Sequence, residues 1–201
     1  MPQSIIQLPN YPITRLPDAE SAVRVIAGSL KGRRLLAPFW DGLRPTSDKL
    51  RETLFNILAP RVAGARVLDG YAGTGALGIE AVSRGAAHVT FVERDRRAQA
   101  LIAENLARCG IGGGYAIIRA SIERALAPPL ADSFDIMLLD PPYDDDPTAV
   151  LAAAGERLAA EGVVVLEHAR RRAGPEMAGR LARTRVVTSG DSALTFYACP
   201  R

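Results

Sequence analysis

The first apolar runs of the chain predict a small hairpin followed by a helix. The hairpin would pair VRVIAG with RRLLAP, two β-prone runs that flank a glycine-containing turn. In the helix, apolar residues recur every three or four positions behind a cap provided by Thr46 or Ser47. The preceding residues, 1–22, contain four prolines and no periodicity, so we expect a flexible arm there.

From residue 66 onwards, β-prone and helical segments alternate. The predicted strands are RVLDG, HVTFVE, YAIIRA, FDIMLLD and VVVLEHA, and helical segments separate them, including one over 148–160. Alternation of this kind is typical of a parallel sheet joined by right-handed crossovers. Two final β runs, ARTRVVTS and ALTFYAC, have no helix between them, which indicates an antiparallel hairpin at one edge. The pattern therefore predicts an α/β fold.

Composition narrows the class of protein. The 201 residues allow one domain with a small appendage, and a hydrophobic content of 48% excludes disorder of the whole chain. Apolar runs fall well short of the ~20 residues that span a bilayer, and the first residues do not resemble a signal peptide. Cys109 and Cys199 lack the spacing of a zinc site or a disulfide framework. We therefore expect a cytoplasmic protein.

Positive charge is concentrated in one segment. The formal net charge of the chain is +3, whereas residues 24–51 carry seven basic and two acidic residues. Such a local excess predicts a face for a polyanion, with internal ion pairs or solvated surface as the alternative. The candidate residues for binding the phosphates of such a polyanion are Arg24, Lys31, Arg33, Arg34, Arg44, Lys49 and Arg51.

A glycine-rich loop, DGYAGTGALG, follows the strand RVLDG. Its glycines allow close approach of a ligand, and the helix predicted from Ala76 directs its N-terminus at the loop. Enzymes that bind a dinucleotide pyrophosphate place the first glycine directly after the strand. Here Asp69 ends the strand four residues before Gly73, and a carboxylate would repel a pyrophosphate. It suits a cation such as the α-ammonium of S-adenosylmethionine, whereas a tight turn capped by Asp69 is the alternative.

A second carboxylate ends the next predicted strand. Glu93 follows Asp69 by 24 residues, and an acidic residue at this spacing can accept both ribose hydroxyls of an adenosine. A solvated charge at the edge of the sheet, beside Arg94, is the alternative. The glycine loop upstream favours the ribose-binding role.

The strand FDIMLLD ends in the tetrad Asp140-Pro141-Pro142-Tyr143. Two prolines stiffen this corner, because each fixes its φ angle. Asp140 and the carbonyl of Pro141 can accept hydrogen bonds from an exocyclic amine, while Tyr143 can stack on a planar base. The tetrad predicts an amine-methylating site, with a chance loop as the alternative. Glu167 and His168 end a later strand near the same edge, and no role is assigned to them.

Together these motifs resemble S-adenosylmethionine-dependent amino-methyltransferases. The wider match resembles the bacterial 16S rRNA (guanine(966)-N(2))-methyltransferase family from about Arg24 to the C-terminus. It rests on RVIAGSLKGRRL, LRPTSDKLRETLFNIL, GYAGTGALGIEAVSRGA, FVERD and LLDPPY. Because adenine-N6 enzymes share DPPY, the first two segments are what narrow the resemblance to this family.

The resemblance implies a Rossmann-like class I methyltransferase fold. Its sheet would have seven strands, mostly parallel and doubly wound, with an antiparallel C-terminal hairpin. It implies an RNA-contacting hairpin and helix (23–60) and a methyltransferase domain (61–201), and it leaves the arm (1–22) outside. The implied cofactor-binding residues are Asp69, Tyr71, Ala72, Gly73, Thr74, Gly75, Glu93, Ser121 and Ile122. The implied catalytic residues are Asp140, Pro141, Pro142 and Tyr143.

The expected activity is methyl transfer from S-adenosylmethionine to N2 of a guanine in 16S rRNA of the 30S subunit. No metal, membrane or obligate protein partner is expected, and a monomer suffices. The alternatives are an adenine-N6 methyltransferase and a non-catalytic RNA-binding assembly factor with the same fold. A nicotinamide oxidoreductase is disfavoured by the displaced glycine loop.

Overall fold

The computed structural model describes residues 23–37, 47–128, 133–142 and 144–200. The predicted arm, Arg44 and Tyr143 lie outside these ranges. The elements in chain order are β1 (Val23–Arg24), β2 (Arg34–Leu35), α1 (Asp48–Val62), β3 (Arg66–Gly70), α2 (Ala76–Ser83), β4 (His88–Val92), α3 (Arg96–Arg108), β5 (Tyr115–Ile118), α4 (Ile122–Leu126), β6 (Phe134–Leu139), α5 (Thr148–Gly155), β7 (Leu158–Ala169), β8 (Met177–Ala178), β9 (Leu181–Ser189) and β10 (Ser192–Ala198).

The central sheet has the strand order β5-β4-β3-β6-β7-β10-β9-β8. Strands β3 to β7 pair in parallel, whereas β10, β9 and β8 are antiparallel. The expected α/β fold with an antiparallel C-terminal hairpin is confirmed. Within the described ranges the sheet contains eight strands rather than seven, because the two residues of β8 pair with the start of β9 at the edge.

The chain between residues 155 and 162 differs from the prediction. The helix expected over 148–160 ends at Gly155, and β7 already begins at Leu158. Leu158 is buried and pairs with Phe134, whereas Val163 pairs with Ile136, so the register shifts between these pairs. A Cβ on Gly162 would lie 2.7 Å from the Leu158 side chain. Burial of Leu158 therefore favours an irregular strand over another helical turn.

The N-terminal hairpin and α1 pack against the sheet rather than forming a core of their own. Val23, Leu35 and Leu54 lie in one buried cluster with Val67 and Phe91 of the central strands. A second cluster covers the opposite face of the sheet. In the part of the chain that the structure describes, no helix is long and apolar enough to cross a membrane.

Buried polar contacts fix the hairpin on α2. The carboxylate of Glu80 is fully buried and accepts hydrogen bonds from the backbone amides of Ile26 and Ala27, at 2.7 and 3.1 Å. The hydroxyl of Ser83 accepts from the Leu30 amide at 3.0 Å. Since Ser83 ends α2, the hairpin tip lies at the end of this helix that is remote from the glycine loop.

Candidate active site at the carboxyl ends of the parallel strands

A cleft of about 970 Å³ opens at the carboxyl ends of β3, β4, β6 and β7. It lies where β3 is flanked by β4 on one side and β6 on the other, so the strand order reverses. Open α/β sheets bind their ligands at such a point. Of the sequence-predicted site residues that the structure describes, eleven line this cleft: Asp69, Tyr71, Ala72, Gly73, Thr74, Glu93, Ser121, Ile122, Asp140, Pro141 and Pro142.

Gly75 is not among the lining residues, and its role is to shape the loop. It is the N-cap of α2 with φ +77°, a left-handed conformation that favours glycine. A Cβ there would lie 3.3 Å from Ile102 and 3.4 Å from Phe91. Gly75 therefore lets the loop turn into α2 directly above the core.

Asp69 is a buried carboxyl at the floor of the cleft, with only 1% of its surface exposed. Its Oδ2 accepts a hydrogen bond from the Gly78 amide at 2.8 Å. Burial raises its pKa from 3.8 to about 8; the Gly78 hydrogen bond opposes this shift and the Glu93 charge adds to it. A cationic ligand in the cleft would stabilise the ionised form of Asp69.

Replacing Asp69 with asparagine is expected to stabilise the ligand-free protein at high pH. The pKa of Asp69 is higher in the folded protein than in the unfolded chain, so the folded state holds the proton more tightly. The resulting contribution to the free energy of unfolding is fully present below pH 3.8 and is lost as the pH rises through about 8. At pH 9 the variant should therefore have a higher melting temperature than the wild type, by about 2–4 °C for each kcal/mol gained in the free energy of unfolding. Melting curves from pH 4 to 9 measure the difference, and parallel curves would contradict it.

The carboxylate of Glu93 connects the glycine loop to the start of α3. Its Oε2 accepts from the Gly73 amide at 2.9 Å, and its Oε1 accepts from the Asp95 amide at 2.8 Å. A carboxylate offers about four acceptor positions. Glu93 lines the cleft, and its remaining positions can therefore receive a pair of ligand hydroxyls.

Asp140 follows the last residue of β6, beside two prolines. Pro141 is buried and Pro142 is exposed, so the turn is held between the core and the cleft. Burial raises the pKa of Asp140 well above its usual range, and the charges of Glu167 and Asp69 raise it further. The cleft therefore brings several carboxyl groups together, which favours ligands that carry positive charge or donate hydrogen bonds.

The basic residues predicted to bind RNA occupy different environments. Arg24, Lys31, Arg33, Arg34 and Lys49 are exposed. Lys31 and Arg33 belong to the hairpin tip, whereas Arg24 forms an ion pair with Asp48 at the start of α1. Ser47, which precedes Asp48, lines the cleft. Arg34 pairs with Arg24 across the hairpin. Arg24, Arg34 and Lys49 are therefore the exposed members of this set that lie at the end of α1 nearest the cleft.

The prediction that Arg51 binds RNA is wrong. Its side chain is only 1% exposed, and its Nη2 donates to the Arg24 carbonyl and to Asp48 Oδ1, both at 2.7 Å. A guanidinium held in this way cannot reach a phosphate at the surface. Arg51 instead ties the hairpin to α1.

Further residues of the cleft have no assigned role in the sequence-based prediction. Glu167, two residues before the end of β7, lines it. The tip of the β9–β10 hairpin, 189–192, also lines it, as do Arg94 and Arg97. The sequence signal that identified Asp69 could also have identified Glu167, because both are acidic residues at the end of a predicted strand. The hairpin tip carries no such signal, because its position depends on the pairing of β10 with β7.

Comparisons with known proteins agree with this architecture. Residues 23–198 match the family model described as conserved hypothetical protein 95. The Bacillus subtilis protein YlbH, named as a candidate rRNA methyltransferase, is 39% identical over 87% of this chain and 98% of its own. The Haemophilus influenzae ribosomal RNA small subunit methyltransferase D is 41% identical over 63% of this chain and 67% of its own.

A solved structure is also similar to this chain in both fold and sequence. The Escherichia coli protein yhhF, described as a candidate methyltransferase, superposes with a TM-score of 0.78 and 34% identity. The superposition covers 88% of this chain and 97% of that protein. The chain therefore belongs to the family of conserved hypothetical protein 95, together with the proteins named ribosomal RNA small subunit methyltransferase D.

Proposed function

We propose that the protein is a cytosolic enzyme that transfers a methyl group from S-adenosylmethionine to the exocyclic N2 of a guanine in 16S rRNA. The observation that carries this proposal is the position of the Asp140-Pro141-Pro142 turn in the same cleft as Asp69 and Glu93. The names of its relatives, which are rRNA and small-subunit rRNA methyltransferases, support the substrate class.

The residues of the cleft fit this cofactor. Asp69, whose pKa is raised to about 8, provides a carboxyl group that a cationic amino-acid moiety would stabilise as the anion. Glu93 lies at the end of β4, where it can accept the ribose hydroxyls, and Ser121 and Ile122 line the wall beyond it. When bound, S-adenosylmethionine supplies an electrophilic methyl group on a sulfonium.

The Asp140 turn would hold the amine that is methylated. An exocyclic amine is a weak nucleophile, because its lone pair is delocalised into the ring. The Asp140 carboxylate and the Pro141 carbonyl can accept hydrogen bonds from the amine and orient its lone pair. The two prolines keep these acceptors fixed, and such positioning can contribute as much as ~7–11 kcal/mol in well-oriented reactions. We propose that Tyr143, next in the chain, stacks on the base.

The hairpin and helix of residues 23–60 would contact the RNA, and residues 61–201 would carry out the transfer. Exposed Arg24, Arg34 and Lys49 lie on this N-terminal unit, where they can bind phosphates without reading sequence. In a base pair, guanine N2 donates to cytosine and the base is held in the stack, so it cannot enter the cleft. The target guanine must therefore be unpaired or flipped out.

Neutralising Arg34 and Lys49 together as glutamines is expected to weaken RNA binding. Each lost phosphate contact should reduce the slope of log K against log salt by about 0.7–0.9, so the pair should reduce it by about 1.4–1.8. Fluorescence anisotropy with a 16S rRNA fragment at several salt concentrations measures the slope. Arg180 and Arg185, exposed on β8–β9 and the turn between them, provide a control pair of equal charge. Equal slopes for the two double variants would contradict this RNA face.

The proposed function is tested by methyl transfer from labelled S-adenosylmethionine to small subunits from cells that lack this enzyme. We expect label in the 16S rRNA, and no label when the subunits come from cells that contain the enzyme. Equal labelling of both preparations, or none, would contradict the proposal.

A further inference from the structure

Glu167 lies next to Asp140 at the edge of the sheet where the cleft opens. Leu139 of β6 pairs with Leu166 of β7 in parallel register, so the residues that follow, Asp140 and Glu167, are neighbours at the same level. Glu167 is 6% exposed and lines the cleft. It also borders a small cavity of about 40 Å³ beside Pro141 and Pro142.

The proximity of these two carboxyl groups has an electrostatic cost. The charge of Glu167 contributes to the raised pKa of Asp140, after burial itself. Two neighbouring carboxylates that border one cleft are stabilised by a ligand that presents adjacent hydrogen-bond donors. A carboxylate has about four acceptor positions, so Glu167 can accept from a ligand in addition to its contacts within the protein.

The Watson–Crick edge of guanine has this pattern. Its N1–H and its N2 amine are adjacent donors, whereas adenine presents an acceptor at N1 beside its N6 amine. We propose that Glu167 is a specificity-determining residue that accepts the N1–H of the target guanine while Asp140 accepts from the N2 amine. This inference rests on the proposed function and extends it to the choice between guanine and adenine. A base with a lone pair at N1 would face the Glu167 carboxylate without a proton between them.

Replacement of the target nucleotide by 2-aminopurine tests this role. 2-Aminopurine keeps the amine at position 2 but has an acceptor at N1. The target is first mapped with the wild-type enzyme, and the modified nucleotide is then introduced into the same RNA by ligation. Wild-type enzyme should prefer guanine by at least about 10²-fold in kcat/KM, because sites built to accept a donor reject analogues that lack it.

The Glu167→Gln variant should change this preference in a defined direction. Its amide can donate to N1 of 2-aminopurine and has lost the charge that favours guanine. We expect the ratio of kcat/KM for guanine over 2-aminopurine to fall by about 10–100-fold. The affinity for S-adenosylmethionine, measured by calorimetry, should remain unchanged. Glu123→Gln, which removes another carboxylate that lines the cleft, is the matched control and should leave the ratio unchanged.

The possible results separate this inference from the proposed function. If wild-type enzyme methylates guanine and 2-aminopurine equally well, Glu167 does not read N1, although the proposed function stands. An equal loss of activity on both bases in Glu167→Gln also contradicts the specificity role, because a structural defect does not change a ratio. If the variant does not fold, the same ratio is measured in Glu167→Asp, which keeps the charge and withdraws it by one methylene; a ratio equal to that of the wild type would then contradict the role, and a lower ratio would support it. A wild-type enzyme that methylates no guanine in rRNA overturns both proposals.

Discussion

Replacing Asp140 with alanine is expected to lower kcat for methyl transfer by about 10²–10³-fold, the range for removing one preorganised hydrogen-bonding group from an active site. The substitution removes the acceptor that would orient the amine and leaves Glu93 and the glycine loop in place. Affinity for S-adenosylmethionine should therefore change little. The fold should tolerate the change, because burial already raises the pKa of Asp140 and disfavours its charged form.

Single-turnover kinetics and calorimetry on the same preparation separate these two effects. Asp144→Ala is the matched control, since this exposed carboxylate lies four residues further along the chain and pairs with Arg172 at 3.6 Å. We expect the control to retain its rate of transfer. A loss of cofactor affinity as large as the loss of rate in Asp140→Ala would show that Asp140 acts on the cofactor rather than on the amine.

Replacing Glu93 with alanine is expected to raise the Kd for S-adenosylmethionine by about 10²–10⁴-fold, which corresponds to two charge-assisted hydrogen bonds. The carboxylate would bind the ribose, and it also accepts from the amides of Gly73 and Asp95. Its removal therefore takes away ligand contacts and the anchor of the glycine loop together. The rate of transfer at saturating cofactor should fall much less.

The conservative variant Glu93→Gln distinguishes these two contributions. Its amide oxygen can still accept one backbone hydrogen bond, so the loop should stay closer to its wild-type position. Calorimetry should give this variant an intermediate affinity. Wild-type affinity in Glu93→Ala would exclude the ribose-binding role.

Much of the cleft could be predicted because its residues lie at strand ends. Asp69, Glu93 and Asp140 each end a predicted strand or follow it directly, and the carboxyl ends of parallel strands meet at one edge of a sheet. The alternation of strands and helices therefore predicts their proximity without any knowledge of side-chain contacts. The family that these motifs resemble is confirmed by the match over residues 23–198.

Other features depend on contacts between distant segments. The tip of the β9–β10 hairpin lines the cleft only because β10 pairs with β7, and local patterns do not specify that pairing. The end of α5 is decided by the pairing of Leu158 with Phe134. Arg51 is different, since it lies three and seven positions before Leu54 and Leu58, on the buried face of α1. Helical periodicity would have predicted its burial, but its charge suggested the surface.

The most direct test of the account is the identity of the methylated nucleoside. Wild-type enzyme and labelled S-adenosylmethionine are incubated with unmethylated 30S subunits, free 16S rRNA and duplex DNA, and the digested products are identified by mass spectrometry. We expect N2-methylguanosine from a ribosomal substrate and no product from DNA. N6-methyladenine from any of the three substrates, or no methylated nucleoside at all, would contradict it.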